Sequence, residues 1–196
     1  MVIGLTGGIG CGKSAAAACF VESGFVHVDA DALAHQALRL PEVAAALRAR
    51  WGGDCLAPDG FPDRSWIAEK VFGDRVELEF LESLIHPLVA ELRRAAVADG
   101  KKSYVVEIPL LFEKRLESQF DCVVCVACSD SVRMRRLQNR GLSPAESESR
   151  IKSQMPLGHK VKLSDRVLWN DGDRAFLRGQ VDRLVAELVS GRGASR

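Results

Sequence analysis

The sequence lacks long apolar runs and an excess of charge of either sign. No apolar stretch approaches the roughly 20 residues that a membrane-spanning helix requires, and no basic leader precedes the first strand-like residues. The 27 Lys and Arg residues nearly balance the 26 Asp and Glu residues, which gives a formal net charge of +1. Such a balance provides no overall electrostatic attraction to nucleic acid or to an anionic membrane. We therefore expect a cytoplasmic protein that binds neither of them.

Cysteine is present six times, but the sequence offers little support for a metal cluster. The run Cys122-Val-Val-Cys125-Val-Ala-Cys128 has the spacing of cluster ligands, yet it contains no Gly to bend a loop around a cluster. Its apolar character predicts a buried strand over 120–128, with reduced cysteines in the core. Cys11 is the exception, because we expect it to be exposed and reactive at a helix amino terminus.

The segment from Gly7 to Ser14, Gly-Gly-Ile-Gly-Cys-Gly-Lys-Ser, matches the phosphate-loop pattern G-x-x-x-x-G-K-S in full. Its glycines let backbone N–H groups face nucleotide phosphates, Lys13 can reach the β and γ oxygens, and the Ser14 hydroxyl can bind Mg²⁺. The Ala-rich helical run that follows adds its positive amino-terminal end. The alternative is a Gly-rich turn that binds nothing, but such a turn seldom has both a strand before it and a helix after it.

Strand and helix signals alternate along the chain, which predicts an α/β fold of the P-loop NTPase type, a parallel sheet flanked by helices. The 196 residues, 47% of them hydrophobic, suffice for one substantial core. We predict strands over 1–6, 25–28, 103–108, 120–128 and 166–169, and helices over about 13–22, 41–50 and 177–188, with a frayed tail over 191–196. Residues 32–100 show helix periodicity without a strand and indicate an insertion, in which His86-Pro87 is a candidate helix end.

Two carboxylates, Asp29 and Asp31, follow the second predicted strand. The carboxyl ends of strands border the ligand crevice in open parallel sheets, and strand alternation would place both side chains on one face. Such a pair can divide the tasks of accepting a hydroxyl proton and of holding Mg²⁺ through water. Alternatively, one of them is the N-cap of a helix that starts near Ala32.

A basic run lies in a predicted helical hairpin over 131–154, which is interrupted between Gly141 and Pro144. Its Arg133, Arg136 and Arg140 have helical spacings that place them on one face. Arginines on a mobile segment can close over a triphosphate and neutralise the charge that develops in phosphoryl transfer. A solvated helix face is the alternative, whereas a nucleic-acid patch is less favoured because no aromatic residues interleave the run.

Together these motifs resemble the dephospho-CoA kinase family over nearly the whole chain. The phosphate loop, with Gly4-Leu-Thr before it, and Asp29-Ala-Asp31 carry the first part of the resemblance. The later motifs, in the order and spacing of the family, are Asp59-Gly60, Asp63-Arg64, His86-Pro87-Leu-Val, Pro109-Leu-Leu-Phe-Glu113, Arg136 with Arg140, Gln154-Met-Pro-Leu, Lys160, Asp165, Asn170 and Gly172. Each motif alone is modest, but their combination is highly specific.

The resemblance implies an enzyme that uses ATP and Mg²⁺ to phosphorylate the ribose 3′-hydroxyl of dephospho-CoA, giving coenzyme A and ADP in the last step of coenzyme A biosynthesis. It also implies three parts: a nucleotide-binding core over 1–31, 101–130 and 155–196, a helical substrate domain over 32–100, and a lid over 131–154. We expect a monomer or a weak homo-oligomer.

The resemblance further implies roles for individual residues. Asp31 would be the general base, with Asp29 as a less favoured candidate or a Mg²⁺ partner, and Lys13 and Arg140 would complete the catalytic set. Ser14 would bind the metal ion. ATP would contact Gly8, Ile9, Gly10, Cys11, Gly12, Lys13, Ser14, Ala15, Arg136, Arg140, Asn170 and Gly172, with its adenine at the last two. Dephospho-CoA would contact Asp29, Asp31, His35, His86, Pro87, Leu110, Leu111 and Glu113.

Departures from the family pattern lie mainly on the acceptor side. His35 stands where the family commonly has Arg, so a titratable imidazole replaces a permanent cation. Leu40-Pro41-Glu42 stands near the place of a missing Glu-Pro-Gly. No triphosphate ligand is lost, so we expect activity to persist and acceptor affinity to change.

Two other functions remain as alternatives. The first is another P-loop kinase that phosphorylates a different small molecule or a nucleotide. The second is a nucleotide-dependent switch, but the sequence has neither an Asn-Lys-x-Asp motif for reading guanine nor an Asp-x-x-Gly switch motif.

Overall fold

The computed structural model describes residues 1–191. In chain order its strands and α-helices are β1 (Val2–Gly7), α1 (Lys13–Glu22), β2 (Val26–Asp29), α2 (Ala30–Leu38), α3 (Pro41–Trp51), α4 (Arg64–Val71), α5 (Arg75–Ala96), β3 (Tyr104–Glu107), β4 (Cys122–Ala127), α6 (Asp130–Gln138), α7 (Pro144–Lys152), α8 (Leu157–Leu163), β5 (Arg166–Trp169) and α9 (Arg174–Val189). Residues 192–196, which belong to the predicted tail, lie outside the described part of the chain.

The chain forms two compact units. One consists of Met1–Val28 and the chain from Asp99 onward, and the other is Asp29–Ala98. The first unit carries all the predicted strands, whereas the second is helical. The division into core, substrate domain and lid that the resemblance implies stays a prediction.

A five-stranded sheet with the order β2-β3-β1-β4-β5 forms the centre of the first unit. Strand β1 pairs in parallel with β3 and β4, and β4 pairs in parallel with β5. Every residue of β3 and β4 is buried, as expected for strands that have helices on both faces of a parallel sheet. The predicted α/β fold class is therefore confirmed, and the strand interpretation of the cysteine-rich run is confirmed with it.

The core of the first unit lies between the sheet and helices α1 and α9. Leu5 and Val124 from the sheet pack with Phe20 of α1 and with Leu177 and Val181 of α9. Removal of this apolar surface from water is the main force that holds these elements together. The six cysteines are all buried and free, which agrees with the expectation of core residues for every cysteine except Cys11, which was expected to be exposed.

The second unit has its own small core, in which Val43, Leu47, Cys55 and Ile67 are buried. Aspartates begin three of its helices: Asp29, Asp63 and Asp74 each accept two backbone N–H groups in the first turn of α2, α4 and α5, respectively. Such caps satisfy donors that a helix start otherwise leaves unpaired.

The expectation that a helix ends at His86-Pro87 is wrong. Helix α5 continues from Arg75 to Ala96 with Pro87 inside it. A proline there removes one backbone hydrogen bond. Leu84 and Leu88, on either side of the proline, both pack against the core of the second unit, so apolar contacts favour continuing the helix past this position. Tertiary packing thus overrides the local preference.

In residues 1–191, none of the helices combines the length and the apolar character needed to cross a membrane.

Candidate active site

The phosphate loop connects β1 to α1, and three of its glycines have positive φ angles: Gly7 (147°), Gly10 (80°) and Gly12 (91°). A Cβ atom at Gly7 would lie 2.2 Å from the Val126 carbonyl oxygen, and one at Gly12 would lie 2.3 Å from Asn170 Nδ2. Side chains are excluded at these two positions by both backbone conformation and space. The glycines that the pattern requires are therefore required by the structure as well.

Side chains from distant parts of the first unit hold this loop in place. Ile9 donates its N–H to Gln154 Oε1 (2.9 Å) and accepts at its carbonyl oxygen from Arg133 Nε (2.9 Å). The carbonyl oxygen of Cys11 accepts from Asn170 Nδ2 (2.8 Å) and, at 3.4 Å, from Arg136 Nη1. The loop is thus fixed from outside by charged and amide groups, which preorganises its N–H groups for an anion.

Arg133 has a different place from the one the sequence predicts. It is 4% exposed and bonded to the loop carbonyl, so it does not share one open face with Arg136 and Arg140. Arg136 is half-buried and Arg140 is exposed, and both line a cavity beside the loop. The spacing of the three arginines is helical, but only the latter two face a space that a ligand can enter.

That cavity has a volume of about 470 Å³ and opens beside the start of α1. Its lining comes from the loop and the first turn of α1, from α6 and the residues after it, and from the turn between β5 and α9 with the start of α9: Gly12, Ala15, Arg136, Asn139, Arg140, Asn170, Gly172, Asp173, Arg174 and Leu177. Six of the residues predicted to bind ATP therefore lie around one space. A volume of this size falls in the range that small-molecule sites occupy.

Cys11 is fully buried, so the expectation that it is exposed is wrong. Its Sγ lies 3.5 Å from Cys128 Sγ, just beyond the end of β4. The hydrogen bond with Cys128, together with the positive charges of Arg133 and Lys13, lowers the pKa of the Cys11 thiol to about 7 even though burial opposes the shift. Its reactivity stays a prediction.

Ser14 contacts a carboxylate that the sequence analysis missed. Its Oγ donates to Glu107 Oε1 (3.1 Å), and Glu107 Oε2 lies 3.3 Å from His27 Nε2. Glu107 is the last residue of β3, beside β1, and is 7% exposed. A carboxylate that ends an otherwise apolar strand was the signal available, since strand ends border the ligand crevice in such sheets.

These oxygen atoms fit a Mg²⁺ ion. Hydroxyl and carboxylate oxygens are its preferred protein ligands, and it usually keeps several waters and binds substrate phosphates as well. Among residues 1–191, no group of three or more His, Cys, Asp and Glu side chains is arranged to hold a metal ion.

A buried ion pair lies behind the loop in the same unit. Lys160, which is 0% exposed, donates to Glu113 Oε1 (2.8 Å) and to the Pro109 carbonyl oxygen (2.6 Å). Met155 N–H also donates to Glu113 Oε1 (2.8 Å). Burial alone would raise the pKa of Glu113, but the Lys160 ammonium and the Met155 N–H hold it below the ordinary value. Glu113 Oε2 is buried and has no hydrogen-bond partner among the described residues.

Replacing Lys160 with Met should destabilise the protein by about 3–5 kcal/mol, because the Glu113 carboxylate would lose its cation in a mostly buried place. The depressed pKa of Glu113 contributes stability above about pH 4.5, and this contribution is lost as the pH falls through the folded pKa. The difference from the parent should therefore shrink in acid. Denaturant unfolding across this pH range measures it.

The matched control for this variant is Lys162→Met, because Lys162 is exposed on the same helix. It should change the free energy of unfolding by less than about 0.5 kcal/mol. Equal stability of the Lys160 variant and the parent at neutral pH would contradict the stabilising role of the ion pair.

Other residues predicted to contact dephospho-CoA differ in exposure. Leu111 is fully buried in the first unit, whereas Leu110 is exposed. In the second unit, His35, His86 and Pro87 are exposed on α2 and α5. Leu111 can therefore act only through packing, and the exposed residues can contact a ligand directly.

The two aspartates do not share a strand face as expected. Strand β2 ends at Asp29 and α2 begins at Ala30, so strand alternation does not reach Asp31. Asp29 Oδ1 accepts from Asp31 N (2.9 Å) and from Ala32 N (3.3 Å), which confirms the alternative that one of the two is an N-cap. The Asp31 carboxylate is exposed and forms no hydrogen bond or ion pair within residues 1–191.

Comparison with known proteins shows which family has this arrangement. The family model for dephospho-CoA kinase matches residues 1–175. The chain belongs to the dephospho-CoA kinase family. Every predicted site residue, up to Gly172, lies within the matched range. The long loop-anchoring contacts from Gln154, Arg133 and Asn170 lie within it as well.

Individual relatives match over almost their full length. A dephospho-CoA kinase from Corynebacterium efficiens is 41% identical, with 96% of this chain and 97% of that protein covered. One from Syntrophotalea carbinolica is 40% identical, with 97% and 93% covered. A Thermus thermophilus protein of known crystal structure is 35% identical in sequence, and its fold matches with a TM-score of 0.83. The match covers 96% of this chain and 97% of that one.

Proposed function

We propose that this protein transfers the γ-phosphoryl group of ATP to the ribose 3′-hydroxyl of dephospho-CoA, giving coenzyme A and ADP in the last step of coenzyme A biosynthesis. The observation that carries the proposal is a complete phosphate loop beside a nucleotide-sized cavity in a chain of the dephospho-CoA kinase family. ATP is the co-substrate that this family uses.

The nucleotide would be held along the edge formed by the loop and the cavity. Loop N–H groups and Lys13 would bind the β and γ phosphates, and the adenine would lie in the cavity against Asn170 and Gly172. Arg136 and Arg140, on the same cavity wall, would neutralise charge that develops on the transferred group. Asn170 has a second role, because its side-chain amide fixes the Cys11 carbonyl oxygen.

We place Mg²⁺ at Ser14 and Glu107. The ion would neutralise phosphate charge and align the oxygens for transfer. Ser14 would act through its hydroxyl, and Glu107 would act through its carboxylate, directly or through water. His27 contacts the second oxygen of this carboxylate and would keep it oriented toward the loop.

Replacing Glu107 with Gln should raise the Mg²⁺ concentration needed for half-maximal turnover about tenfold, because an amide keeps the shape but loses the charge. Turnover is measured against Mg²⁺ at fixed ATP, and Mg²⁺-dependent binding of a fluorescent ATP analogue gives a second reading. Glu187→Gln, at an exposed carboxylate on α9, is the matched control and should leave both curves unchanged. Superimposable Mg²⁺ curves for the Glu107 variant and the parent would remove Glu107 from the metal site.

We assign the general base to Asp31. One carboxylate oxygen of Asp29 accepts hydrogen bonds from two backbone N–H groups of α2. The Asp31 carboxylate is exposed and forms no hydrogen bond or ion pair within residues 1–191. A free carboxylate can accept the proton that the 3′-hydroxyl loses during transfer. His35, His86, Pro87, Leu110 and Glu113 would contact the acceptor, whereas Leu111, which is buried in the first unit, would act through packing.

The hairpin of α6 and α7 would act as the lid. Its two helices are joined through Gly141, whose φ of 84° favours glycine, and α7 begins with a capping box between Ser143 and Glu146. Arg133 anchors α6 to the loop, so movement would be largest beyond that helix, at the Gly141 turn and in α7. Such movement would bring Arg140 toward the triphosphate, while Arg136 already lies beside the loop.

A panel of hydroxyl acceptors tests the substrate. With ATP and Mg²⁺ fixed, ADP formation should be strongest with dephospho-CoA and weak with nucleoside monophosphates, shikimate and gluconate. A faster reaction with one of the other acceptors would favour the alternative of another small-molecule or nucleotide kinase. ATP hydrolysis that is independent of every acceptor would favour a nucleotide-dependent switch.

A further inference from the structure

Two buried thiols meet where the phosphate loop crosses the end of β4. Cys11 Sγ and Cys128 Sγ are 3.5 Å apart, and the two side chains are 0% and 2% exposed. Cys11 is a loop residue, and Cys128 follows the strand that pairs with β1. We infer that these two cysteines form a reversible intramolecular disulfide when the protein reacts with a hydroperoxide. This covalent modification site lies outside the phosphoryl-transfer chemistry proposed above.

The two thiols have opposite acid strengths, which gives each a distinct role. The hydrogen bond from Cys128, with Arg133 and Lys13 nearby, lowers the pKa of Cys11 to about 7. The same hydrogen bond and burial raise the pKa of Cys128. The lowered pKa favours the thiolate form of Cys11 over that of Cys128, and the thiolate is the nucleophilic form of cysteine. Cys128 remains the thiol that stabilises it.

The reaction proceeds in two balanced steps. Because Cys11 is 0% exposed, the peroxide reaches it only when the loop opens transiently. The Cys11 thiolate then attacks one peroxide oxygen, the O–O bond breaks, and the leaving oxygen takes up a proton as water or alcohol, which leaves Cys11 as a sulfenic acid. Cys128 then attacks the Cys11 sulfur, the S–O bond breaks, and the hydroxyl leaves as water with the proton of Cys128. Together the two cysteines lose two electrons, and the hydroperoxide gains them.

Closing the disulfide would deform the phosphate loop. A disulfide bond is about 2.05 Å long, so the sulfur atoms must approach by about 1.4 Å from their present separation of 3.5 Å. The Cys11 carbonyl oxygen is fixed by Asn170, so the pull on its side chain is transmitted to the loop. A displacement of about 1 Å in a site that positions reactants can cost about 10²-fold in rate. We expect a loss of that order.

The test treats the full-length protein with a small excess of hydrogen peroxide, blocks the remaining thiols with an alkylating agent, and maps peptides by mass spectrometry without reduction. The expected product is a Cys11–Cys128 linked peptide, lighter by two hydrogens than the two thiol peptides together. It should appear with a loss of turnover of about 10²-fold, and dithiothreitol should reverse both changes. The mass reading does not depend on which acceptor the enzyme uses.

Three variants separate this site from general oxidation. Cys125→Ala removes another buried cysteine of β4, whose pKa burial raises to about 11, and should leave the link and its effect intact. Cys128→Ser, whose hydroxyl can keep the hydrogen bond to Cys11, should keep basal turnover, form no link, and leave Cys11 as a sulfenic acid that dimedone traps. Cys128→Ala should also keep basal turnover and form no link, but Cys11 should be oxidised more slowly because its pKa is no longer lowered by that hydrogen bond. Free Cys11 and Cys128 after peroxide treatment of the parent, whether turnover falls or persists, would overturn the inference.

The pH dependence provides an independent reading. The groups that face the Cys11 thiol are Cys128, Arg133 of α6 and Lys13 of α1. Since the thiolate reacts, linkage should form about tenfold faster at pH 8 than at pH 6, across the pKa of about 7. A rate that does not change over this range would overturn Cys11 as the attacking group.

Discussion

Asp31→Asn should lower the turnover number by about 10²–10⁴-fold and leave the affinity for ATP nearly unchanged. The amide cannot accept the proton of the acceptor hydroxyl, while the phosphate loop that binds ATP is untouched. Steady-state kinetics with saturating dephospho-CoA measures the first effect, and binding of ATP without acceptor measures the second. A variant that turns over as fast as the parent would refute the assignment of the general base.

Asp29→Asn is the matched comparison. Asn is about as good an N-cap as Asp, so the start of α2 should persist and the loss of turnover should be far smaller. If Asp29→Asn lowered turnover more than Asp31→Asn, Asp29 rather than Asp31 would be the general base. Equal losses would place the two carboxylates in one functional unit.

Lys13→Ala should lower kcat/KM for ATP by at least about 10²-fold, with weaker nucleotide binding and slower turnover together. The Lys13 ammonium lies 3.4 Å from the Gly7 carbonyl oxygen, at the start of the loop, and would contact the β and γ phosphates. Kinetics against ATP and direct ATP binding both measure the effect. Unchanged ATP kinetics would exclude the proposed role.

Lys13→Arg tests whether charge alone suffices. Arg keeps the cation but replaces a compact ammonium with a planar fork, so we expect partial activity between the parent and the Ala variant. Thermal unfolding should be similar for all three proteins because Lys13 is partly exposed. A large loss of stability in the Ala variant would assign its kinetic defect to folding rather than to phosphate binding.

Much of the fold could be predicted because its signals are local. The apolar runs at β1, β3 and β4 are buried in the sheet, as their composition indicated. The course of α5 past Pro87 could not be predicted, because the leucines that pack on both sides of the proline belong to tertiary structure. Helix α8 was not predicted either, since its Gly158 and short length hide the pattern.

In the candidate site, too, local features could be predicted from the sequence and tertiary contacts could not. The phosphate loop was visible because its glycines, Lys13 and Ser14 are adjacent in sequence. The contacts of Ile9 with Arg133 and Gln154 join residues more than a hundred positions apart, so only the folded chain shows that Arg133 supports the loop. Cys11 is likewise buried against Cys128, which follows β4 and is 117 positions away in sequence. A motif thus predicts the ligand, but not the residues that hold the motif in shape.

The proposed phosphorylation of dephospho-CoA is tested most directly by incubating the purified protein with ATP, Mg²⁺ and dephospho-CoA. Mass spectrometry identifies the products, and phosphorus NMR locates the new phosphate. We expect equal amounts of ADP and coenzyme A, with the added phosphate on the ribose 3′-oxygen. No coenzyme A from an intact, ATP-binding protein, or phosphate on a different oxygen, would contradict the proposal.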